Sequence, residues 1–391
     1  MSKLEELIQE LCPDGVEYKT LGELGKFFGG LTGKSKDDFK DGNAKFITYK
    51  NVYANPALQI DVEDRVKIAD GEKQRTLQYG DVIFTGSSET PDECGISSVV
   101  TMKTDEKLYL NSFCFFFRFN DLSIMLPDFA KHLFRSSDLR YQIGKTASGV
   151  TRYNVSKKLM EKVLIPIPSI PVQREIVRIL DNFTELTAEL TTELTARRKQ
   201  YEYYKRQLLD DLDAETVPFN KVCNNIFSGR NKVRLADGKY PVYGSTGIIS
   251  TTNTPAYSKE QILIARVGAN AGFVHIANGE YDVSDNTLIV DLKDGVSLKY
   301  IYYQLASMNL HQYAKGGGQP LVTAGQIKEL KIAIPTLEKQ LEIVFILDRF
   351  DVLCNDLTSG LPAEIEARQK QYEYYRDKLL TFQPLEKGGA Q

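Results

Sequence analysis

The sequence has few of the residues that build disulfide frameworks and metal centres. It contains no tryptophan, three histidines and five cysteines among 391 residues. The cysteines show no paired spacing, which argues against a disulfide scaffold or a CxxC metal site and fits a reducing compartment. They are Cys12, Cys94, Cys114, Cys223 and Cys354. The histidines are scattered, at His132, His275 and His311. We predict no metal site.

Long apolar runs are also missing. No stretch approaches the roughly 20 apolar residues that cross a membrane, and residues 1–6 lack the apolar core of a secretory signal. With 42% hydrophobic and 26% charged residues, the composition is that of a soluble globular protein of two or three domains. We expect a cytoplasmic protein with no membrane partner.

The net charge of -3 does not indicate nucleic-acid binding by the chain as a whole. The charges are unevenly distributed, because basic residues outnumber acidic ones in residues 16–165 and 216–332 while the rest of the chain is acidic. This distribution permits DNA contact through local basic patches but does not require it.

One stretch of the chain occurs twice. Ile-Pro-Ile-Pro at 165–168 returns as Ile-Ala-Ile-Pro at 332–335, and each is followed by Gln-x-Glu-Ile-Val, beginning at Gln173 and Gln340. Each copy continues to Lys-Gln-Tyr-Glu-Tyr-Tyr, at 199–204 and 370–375. Such self-similarity indicates that the chain consists of two similar halves.

Both copies have the pattern of long helices with a coiled-coil seam. In the first copy, positions at alternating spacings of three and four carry apolar residues, except for the polar Thr187 and Arg197, among good helix formers. The seam consists of Ile176, Leu180, Phe183, Leu190, Leu194, Tyr201, Tyr204 and Leu208. A helix of about 36 residues would be roughly 54 Å long. A simple dimerisation zipper would explain one seam, whereas two seams in one chain can pair as an antiparallel hairpin.

A domain of mixed elements precedes each long helix. The first contains strand-like runs at 46–49, 82–84 and 113–117, a helix-like stretch at 127–143, a polar loop at 146–152 and an apolar run at 163–165. The second contains strands at 262–265, 273–276 and 287–290, a helix at 298–313 and a glycine-rich loop at 316–319. We predict an α/β fold of mixed sheet and helix, with two domains that share an order of elements and differ on their surfaces.

The beginning of the chain matches the end of the first long helix. Leu7, Leu11, Val16 and Leu21 align with Leu208, Leu212, Val217 and Val222. Residues 4–11 then complete a repeat whose earlier part is supplied by the second long helix, which ends near Leu380. We predict a circular repeat, hence a pseudo-twofold molecule with neighbouring ends.

This order of a variable domain, a helix, a second variable domain and a repeated helix resembles the specificity subunit of a type I DNA restriction-modification system. The resemblance covers residues 16–380. Three tandem tetrapeptides at 184–195, Thr-Glu-Leu-Thr, Ala-Glu-Leu-Thr and Thr-Glu-Leu-Thr, resemble the spacer repeats of that family. A helix that merely favours these residue types would not need three tandem copies at the matched position.

The resemblance implies six parts of the chain. They are a helical segment that completes the repeat (1–15), the first target recognition domain (16–165), the first spacer helix (166–212), the second target recognition domain (213–332), the second spacer helix (333–382) and a flexible tail (383–391). Each recognition domain would read one half of a split DNA target. The two antiparallel coiled-coil helices would set the spacing.

The resemblance also implies the partners. The chain would bind double-stranded DNA, two methyltransferase subunits and restriction or motor subunits. S-adenosylmethionine, ATP and magnesium would be used by those partners, and this chain itself would bind no cofactor.

The residues agree with a reader of DNA that is not itself an enzyme. The chain contains no Pro-Pro dipeptide, which the catalytic motif of an adenine methyltransferase of this system requires. Residues 29–35 resemble a phosphate-binding loop, but only three residues separate Gly29 from Gly33 where four are needed. We interpret this segment as a flexible loop that places Lys34 and Lys36 near DNA phosphates.

Two other functional classes stay open. One is a coiled-coil scaffold that binds only proteins. The other is a metal-dependent nuclease, because Pro91-Asp92 followed by Asp-Glu-Lys at 105–107 superficially meets the pattern of two acidic groups and a lysine. Such spacing arises by chance in a chain with 52 acidic residues, and the second domain has no counterpart.

We predict that DNA is contacted by basic, amide and hydroxyl side chains from loops at one edge of each domain. In the first domain these are Lys34, Lys36, Lys45, Tyr49, Lys50, Lys145, Thr151 and Arg152. In the second domain they are Arg230, Lys232, Arg234, Tyr243, Ser245, Thr246, Arg266, Asn270 and Gln319.

The repeated tyrosines are candidates for methyltransferase binding. They are Tyr201, Tyr203, Tyr204, Tyr372, Tyr374 and Tyr375. Only one or two of each trio can occupy the seam, which leaves the others for a partner surface. The alternative is that all of them only pack the helical hairpin.

The two copies differ in length. The offset between them is 167 residues at Pro168 and Pro335 but 171 at Tyr201 and Tyr372, so the second helix carries four extra residues. They fall around Ser-Gly-Leu-Pro at 359–362, where glycine and proline are expected to interrupt the helix.

Overall fold

A computed structural model describes residues 3–210, 212, 214–232, 235–316 and 318–385. The chain divides into two compact units. Unit 1 comprises residues 1–189 and 365–391, and unit 2 comprises residues 190–364. Each unit therefore contains one region of mixed strands and helices together with parts of the long helices.

Unit 1 begins with a short helix and continues through small sheets and helices. The elements are α1 (Lys3–Leu11), β1 (Glu17–Thr20), α2 (Leu21–Leu24), β2 (Gly25–Gly29), β3 (Ala44–Ile47), α3 (Tyr49–Ala54), β4 (Arg65–Val66), β5 (Val82–Thr85), β6 (Ser87–Ser88), β7 (Ser97–Val99), β8 (Leu108–Leu110), β9 (Cys114–Phe119), α4 (Pro127–Leu133), α5 (Ser137–Gly144), β10 (Ala147–Ser148), β11 (Tyr153–Val155), α6 (Lys157–Met160) and β12 (Leu164–Ile167). The chain then continues into the long helix α7 (Ile170–Leu209).

Unit 2 has a similar order of strands and helices. Its elements are β13 (Thr216–Pro218), β14 (Cys223–Ser228), β15 (Tyr240–Gly244), β16 (Gly247–Thr252), β17 (Gln261–Ala265), β18 (Val274–Ala277), β19 (Asp282–Val283), β20 (Thr287–Leu292), α8 (Leu298–Ser307), α9 (Ala324–Lys328), β21 (Lys331–Ala333) and α10 (Leu337–Asn355). The last helix, α11 (Leu361–Leu379), begins in unit 2 and continues in unit 1.

Three sheets of each unit have the same topology, and unit 1 has in addition the antiparallel sheet β10-β11-β6. A four-stranded antiparallel sheet has the order β2-β9-β5-β7 in unit 1 and β14-β20-β17-β18 in unit 2. A three-stranded sheet, β4-β3-β8 or β16-β15-β19, contains one antiparallel and one parallel pair. An antiparallel ribbon, β1–β12 or β13–β21, joins the start of each region to its end. These matches confirm the predicted mixed fold and the shared order of elements.

The core of unit 1 lies between the four-stranded sheet and helix α4. Phe84 and Phe117 from the sheet are completely buried, as are Phe129 of α4 and Phe134 just beyond it. The ring of Phe84 meets that of Phe134 edge to face at 5.5 Å. Burial of several aromatic rings supplies a large hydrophobic contribution for a small sheet and fixes its orientation on the helix.

Three predicted elements end differently from expectation. The strand predicted at 46–49 stops at Ile47, because the Thr48 hydroxyl accepts a hydrogen bond from the Asn51 amide and caps α3. The helix predicted at 127–143 is two helices, and the Ser136 hydroxyl binds the Leu133 carbonyl between them. The helix predicted at 298–313 ends at Ser307, since Asn309 adopts a left-handed conformation with φ of 46°.

The two long helical segments differ as predicted. Helix α7 runs without interruption for 40 residues, whereas the second segment is broken between α10 and α11. In the break, the Asp356 carboxylate accepts hydrogen bonds from the Ser359 hydroxyl and from the Thr358 hydroxyl and amide. These bonds lower the pKa of Asp356 to about 2. A Cβ atom on Gly360 would lie 2.4 Å from the Val352 carbonyl oxygen, so glycine is required there.

Within each unit, the long helices pack through equivalent aromatic pairs. In unit 1, Phe183 stacks on Tyr375 with ring centroids 5.3 Å apart, and in unit 2, Phe350 stacks on Tyr204 at 5.7 Å. In unit 2 the Arg198 guanidinium also donates to the Cys354 carbonyl. Arg198 of α7 contacts Cys354 of α10, and the later residue Tyr204 contacts the earlier residue Phe350. Helices α7 and α10 are therefore antiparallel.

The predicted circular closure is visible in unit 1. The Val16 amide donates to the Gln383 carbonyl at 2.8 Å, and the Leu385 amide donates to the Val16 carbonyl at 2.9 Å. The segment after α11 therefore pairs with the segment after α1, as the alignment of the repeat requires.

A buried glutamine joins the mixed region of each unit to the long helix that follows it. In unit 1, the Gln173 amide accepts from the Leu126 backbone N–H at 2.8 Å and donates to the carbonyls of Ile124 and Pro168. In unit 2, Gln340 accepts from the Ser297 N–H at 2.9 Å and donates to the Pro335 carbonyl. Both joints bind backbone groups, so they do not depend on the side chains of the region they hold.

Replacement of Gln173 by alanine should destabilise unit 1 by about 2–4 kcal/mol, because one buried and two partly buried backbone groups lose their partner. Gln173 is 0% exposed, which leaves little access for water to replace the amide. The measurement is chemical denaturation of wild type and Q173A. The matched control is Q142A, since Gln142 also bonds backbone of its unit but at a partly exposed position. If Q173A lost no more free energy of unfolding than Q142A, the proposed stabilising role of the Gln173 hydrogen bonds would be contradicted.

Candidate nucleic-acid interface

Two of the predicted DNA-binding residues of unit 1 meet at one serine. Ser87 lies in β6, immediately beyond the buried strand β5. The Tyr49 hydroxyl donates to its carbonyl at 3.0 Å, and the Arg152 guanidinium donates to its hydroxyl at 2.9 and 3.1 Å. The structure therefore brings the start of α3 and the loop before β11 to the same end of β5.

Unit 2 gathers predicted residues at the equivalent place. Arg266 follows β17, and its guanidinium donates to the Ser228 hydroxyl at 3.2 Å. Its backbone N–H donates to the Asn286 carbonyl at 2.9 Å, and the same carbonyl accepts from the Ser245 hydroxyl at 3.0 Å. Arg266 and Ser245, which were predicted separately, thus share Asn286.

The polar loops of the two units are equivalent in backbone structure. The Val155 amide donates to the Gly86 carbonyl at 3.0 Å, and the Val322 amide donates to the Arg266 carbonyl at 2.9 Å. Arg152 and Gln319 each lie three residues before these valines, so they occupy the same loop position. The same point of the fold presents a guanidinium in unit 1 and an amide in unit 2.

Glycine makes this loop possible in both units. Gly149 and Gly316, which hold equivalent positions, have φ values of 155° and 113°. A Cβ atom would lie 2.0 Å from the Arg152 carbonyl oxygen at Gly149 and 3.0 Å from the Gln319 oxygen at Gly316. Glycine therefore allows the loop to fold back closely on itself.

Two predicted lysines are engaged in ion pairs inside unit 1. The Lys34 ammonium lies 2.6 Å from a Glu72 carboxylate oxygen, and its side chain is 9% exposed. This hydrogen bond lowers the pKa of Glu72 to about 2. The Lys45 ammonium lies 2.5 Å from Glu106, which raises the pKa of the lysine. Lys34 is thus held by a carboxylate instead of extending from the flexible loop that the sequence suggested.

The remaining predicted residues vary in exposure. Most are exposed on loops or at element ends, namely Lys36, Lys50, Lys145, Thr151, Arg230, Lys232, Thr246, Asn270 and Gln319. Tyr243 is half-buried and meets the Tyr281 ring edge to face at 5.5 Å. Arg234 lies outside the described residues. The role of these residues in DNA contact stays a prediction.

A partly buried histidine packs against Tyr243. The His275 ring lies between Tyr243 and Phe273, with centroids 5.5 and 5.9 Å away. Its ring nitrogens have no hydrogen-bond partner among the described residues, and burial lowers the pKa of His275 to about 4. The neutral ring therefore acts as an aromatic packing residue in this sheet.

The tyrosine trios divide between packing and solvent. Tyr201 is buried and stacks on Phe350 at 5.9 Å, and the Tyr372 hydroxyl binds a ring nitrogen of His132 at 2.8 Å. Tyr203 and Tyr374, which are equivalent in the repeat, are 58% and 62% exposed. The first tyrosine of each trio therefore packs inside its unit, and the middle one is exposed.

His132 links α4 to the long helices within unit 1. Its Nε2 atom lies 2.7 Å from the Asp181 carboxylate, while Lys131 lies 2.8 Å from the same carboxylate. A carboxylate can only accept, so neutral His132 donates from Nε2 and accepts from the Tyr372 hydroxyl at Nδ1. Burial lowers the pKa of His132 despite the nearby Asp181.

Acidification should therefore weaken unit 1 through His132. The unfolded chain binds the proton at a higher pH than the folded chain, so stability falls as the pH drops below about 6.5, the ordinary histidine range. We expect H132Q, whose amide can make both hydrogen bonds, to lose less thermal stability between pH 7.5 and 5.5 than wild type. His275 contributes acid sensitivity in both proteins. H311Q serves as the control, and equal losses in H132Q and wild type would refute the assignment.

The described residues give no support to a metal-dependent nuclease. No group of three His, Cys, Asp or Glu side chains among them could hold a metal ion. Glu106 of the nuclease-like pattern is paired with Lys45. Among the residues that the structure describes, no helix is both long enough and apolar enough to span a bilayer.

Sequence reasoning missed three residues beside the loops of this interface. Lys157 and Phe113 line the same groove as Arg152, and Asn286 lies at the equivalent place in unit 2. The sequence predicts Phe113 as the first residue of a strand at 113–117. It precedes β9 instead, and its side chain is 60% exposed. The Asn-Ser before Phe113 was the available turn signal.

Two stretches of the chain, residues 13–197 and 219–367, match the family described as the type I restriction modification DNA specificity domain. The chain belongs to this family. It is 36% identical over 219 residues to the type I restriction enzyme EcoprrI specificity subunit of Escherichia coli. It is 35% identical over 262 residues to the EcoR124I/EcoR124II specificity subunit of the same organism. The resemblance inferred from the repeat is confirmed.

The matches to these specificity subunits are partial. They cover 51% and 58% of this chain, and 55% and 65% of the two relatives. The chain thus spans less than two thirds of the length of the two relatives. The fold is similar over nearly the whole chain to the crystal structure of a type I restriction-modification S subunit from M. genitalium, with a TM-score of 0.54, 16% identity, and coverage of 94% of this chain and 96% of that one.

Proposed function

We propose that this chain is the sequence-specific DNA-binding subunit of a type I restriction-modification complex. Each of its two mixed regions would read one half of a split DNA target. The observation that carries this proposal is that the two units have the same backbone structure at one loop but present different side chains there. Arg152 and Gln319 occupy the same loop position, as do Gly86 and Arg266 next to it. Side chains of these types read base edges or phosphates, and a change of side chain on a fixed frame changes the sequence read.

The chain would act without catalysis of its own. Methylation and cleavage would belong to methyltransferase and restriction or motor subunits, which would use S-adenosylmethionine, ATP and magnesium. A cytoplasmic location follows from this role. Phosphate contacts would come from exposed basic residues, such as Lys36 and Lys50, and Lys34 is a weaker candidate because Glu72 occupies its ammonium.

The exposed tyrosines Tyr203 and Tyr374 are the candidates for docking the methyltransferase. Their equivalence in the repeat would give two similar docking sites, hence two methyltransferase subunits per chain. Tyrosine combines a large apolar surface with a hydroxyl and often dominates the energy of an interface. The buried Tyr201 and the partly buried Tyr372 would support these sites only through helix packing.

Native mass measurement of the assembled complex tests this stoichiometry. We expect two methyltransferase subunits with wild type and predominantly one with either Y203A or Y374A. K199A, an exposed change on the same helix as Tyr203, serves as the control and should keep both subunits. A single methyltransferase on the wild-type chain would refute the proposed pair of sites.

Selection from random DNA duplexes tests the function itself. The complex of this chain with its methyltransferase should retain duplexes that share a split sequence. If the complex binds no DNA, a protein-binding scaffold is the better explanation. If the isolated chain cuts DNA when a divalent metal is added, the nuclease is the better explanation.

A further inference from the structure

A short turn exposes Phe113 on the surface of unit 1, beside the groove that Arg152 lines. The turn spans residues 111–114 and links the end of β8 to the first residue of β9. The buried Asn111 fixes it, because its backbone N–H and its side-chain amide both donate to the Ile47 carbonyl at 3.0 Å. The Asn111 side-chain oxygen also accepts from the Phe113 N–H at 2.8 Å. The exposed ring is therefore carried by a fixed backbone.

Two glycines make room for this turn. A Cβ atom on Gly30 would lie 2.0 Å from the Asn111 carbonyl oxygen, and one on Gly86 would lie 2.7 Å from that of Phe113. The Gly86 amide donates to the Phe113 carbonyl at 2.8 Å. Gly30 belongs to the glycine-rich segment that resembles a phosphate-binding loop in the sequence. Its function here is to let the backbone of the turn approach.

Unit 2 contains the same turn with a different residue at its tip. The Arg266 amide donates to the Asn286 carbonyl as the Gly86 amide donates to that of Phe113. A Cβ atom on Gly229 would lie 2.4 Å from the Ser284 carbonyl oxygen. Gly229 thus approaches the turn of unit 2 at Ser284, just as Gly30 approaches the turn of unit 1 at Asn111. Asn286 is exposed. The two units thus present Phe113 and Asn286 at one structural position.

The surroundings of Phe113 suit a polyanion. The groove beside it has a volume of about 490 Å³. Of the described residues that line it, Arg152 and Lys157 are basic and none is acidic. In contrast, the neighbouring pocket at Tyr49 and Lys50 includes two glutamates. An exposed phenylalanine costs hydration free energy in the free protein, and contact with a base would recover it.

We propose that the tip of this turn reads one base pair in each half of the target. This inference rests on the proposed function. In unit 1 the Phe113 ring contacts the 5-methyl group of a thymine, the apolar feature of the major groove. In unit 2 the Asn286 amide accepts from N6 and donates to N7 of an adenine. Asn111 is a positioning residue that fixes the direction of Phe113.

Base analogues test the two contacts separately. The complex with its methyltransferase is titrated with duplexes that carry the selected target. Each thymine of one half is replaced in turn by uracil, which lacks the 5-methyl group. We expect one replacement to weaken wild-type binding by roughly tenfold. The same replacement should not change the binding of F113A, whose affinity is already reduced. M102A, an exposed change elsewhere in unit 1, should respond as wild type does.

For unit 2 the analogue is 7-deazaadenine, which lacks the N7 acceptor. It should weaken wild type at one adenine of the other half by roughly tenfold and leave N286A unaffected. The Phe113 contact is overturned if its half contains no specified thymine, or if uracil affects wild type and F113A equally. The Asn286 contact is overturned by the corresponding results with adenine. If wild type selects no split sequence, the proposed function fails and this inference fails with it.

Discussion

Exchange of residues 16–165 for the corresponding domain of a relative with another target should replace one half of the recognised sequence and leave the other half unchanged. The ribbon of β1 and β12 brings the two junctions together, since Thr20 pairs with Leu164. A donor domain can therefore enter at one place without disturbing the helices. The change in specificity should be complete for the exchanged half, because all of its predicted reading residues are replaced.

The joint between domain and helix explains why such an exchange should fold. Gln173 binds only backbone groups of the region and the turn before α7, which a donor with the same fold also supplies. The His132 contact is less general, because unit 2 uses Tyr303 toward Asp348 at the equivalent place. A donor with either histidine or tyrosine there should retain full stability.

Sequencing of methylated sites in cells that express the chimera measures the outcome. The reciprocal exchange of residues 213–332 is the matched control and should change only the other half. A folded chimera in which both halves change would contradict independent reading by the two regions.

Deletion of residues 188–191, one whole tetrapeptide of α7, should shorten the unread gap of the target by one or two base pairs. Four residues are about 1.1 helical turns and roughly 6 Å of rise. One base pair occupies about 3.4 Å along DNA, so this shortening corresponds to one or two pairs. The bases read in each half should stay the same, because the deletion lies outside both mixed regions.

The interruption between α10 and α11 is the reason to expect tolerance of this deletion. The turn at 356–360 is stabilised by Asp356 and separates α10 from α11, so the second segment is not one continuous helix that must keep the same periodicity as α7. Helix α7, which has no interruption, would then act as the ruler. E185Q/E189Q changes the same region without changing its length and should keep the gap. An unchanged gap in a fully active deletion variant would show that the tetrapeptides do not set the spacing.

Several features of this protein are determined by local sequence. The repeat, the seam of α7 and the glycine and proline at 360–362 predict the long helices and the break in the second one, because helix periodicity and helix interruption depend on residues within a few turns. The order of elements in the two mixed regions follows from the same kind of pattern. The resemblance to the family follows from the repetition of both the mixed region and the long helix.

Only the tertiary structure decides which loop side chains meet. Tyr49 and Arg152 are far apart in the chain and share Ser87, whereas the promising Lys34 is held by Glu72. Phe113 has the sequence context of a core strand, yet Asn111 fixes it in a turn through the carbonyl of Ile47, 64 residues away. Such contacts join segments that only the folding of the sheets brings together, and no local pattern in the chain encodes them.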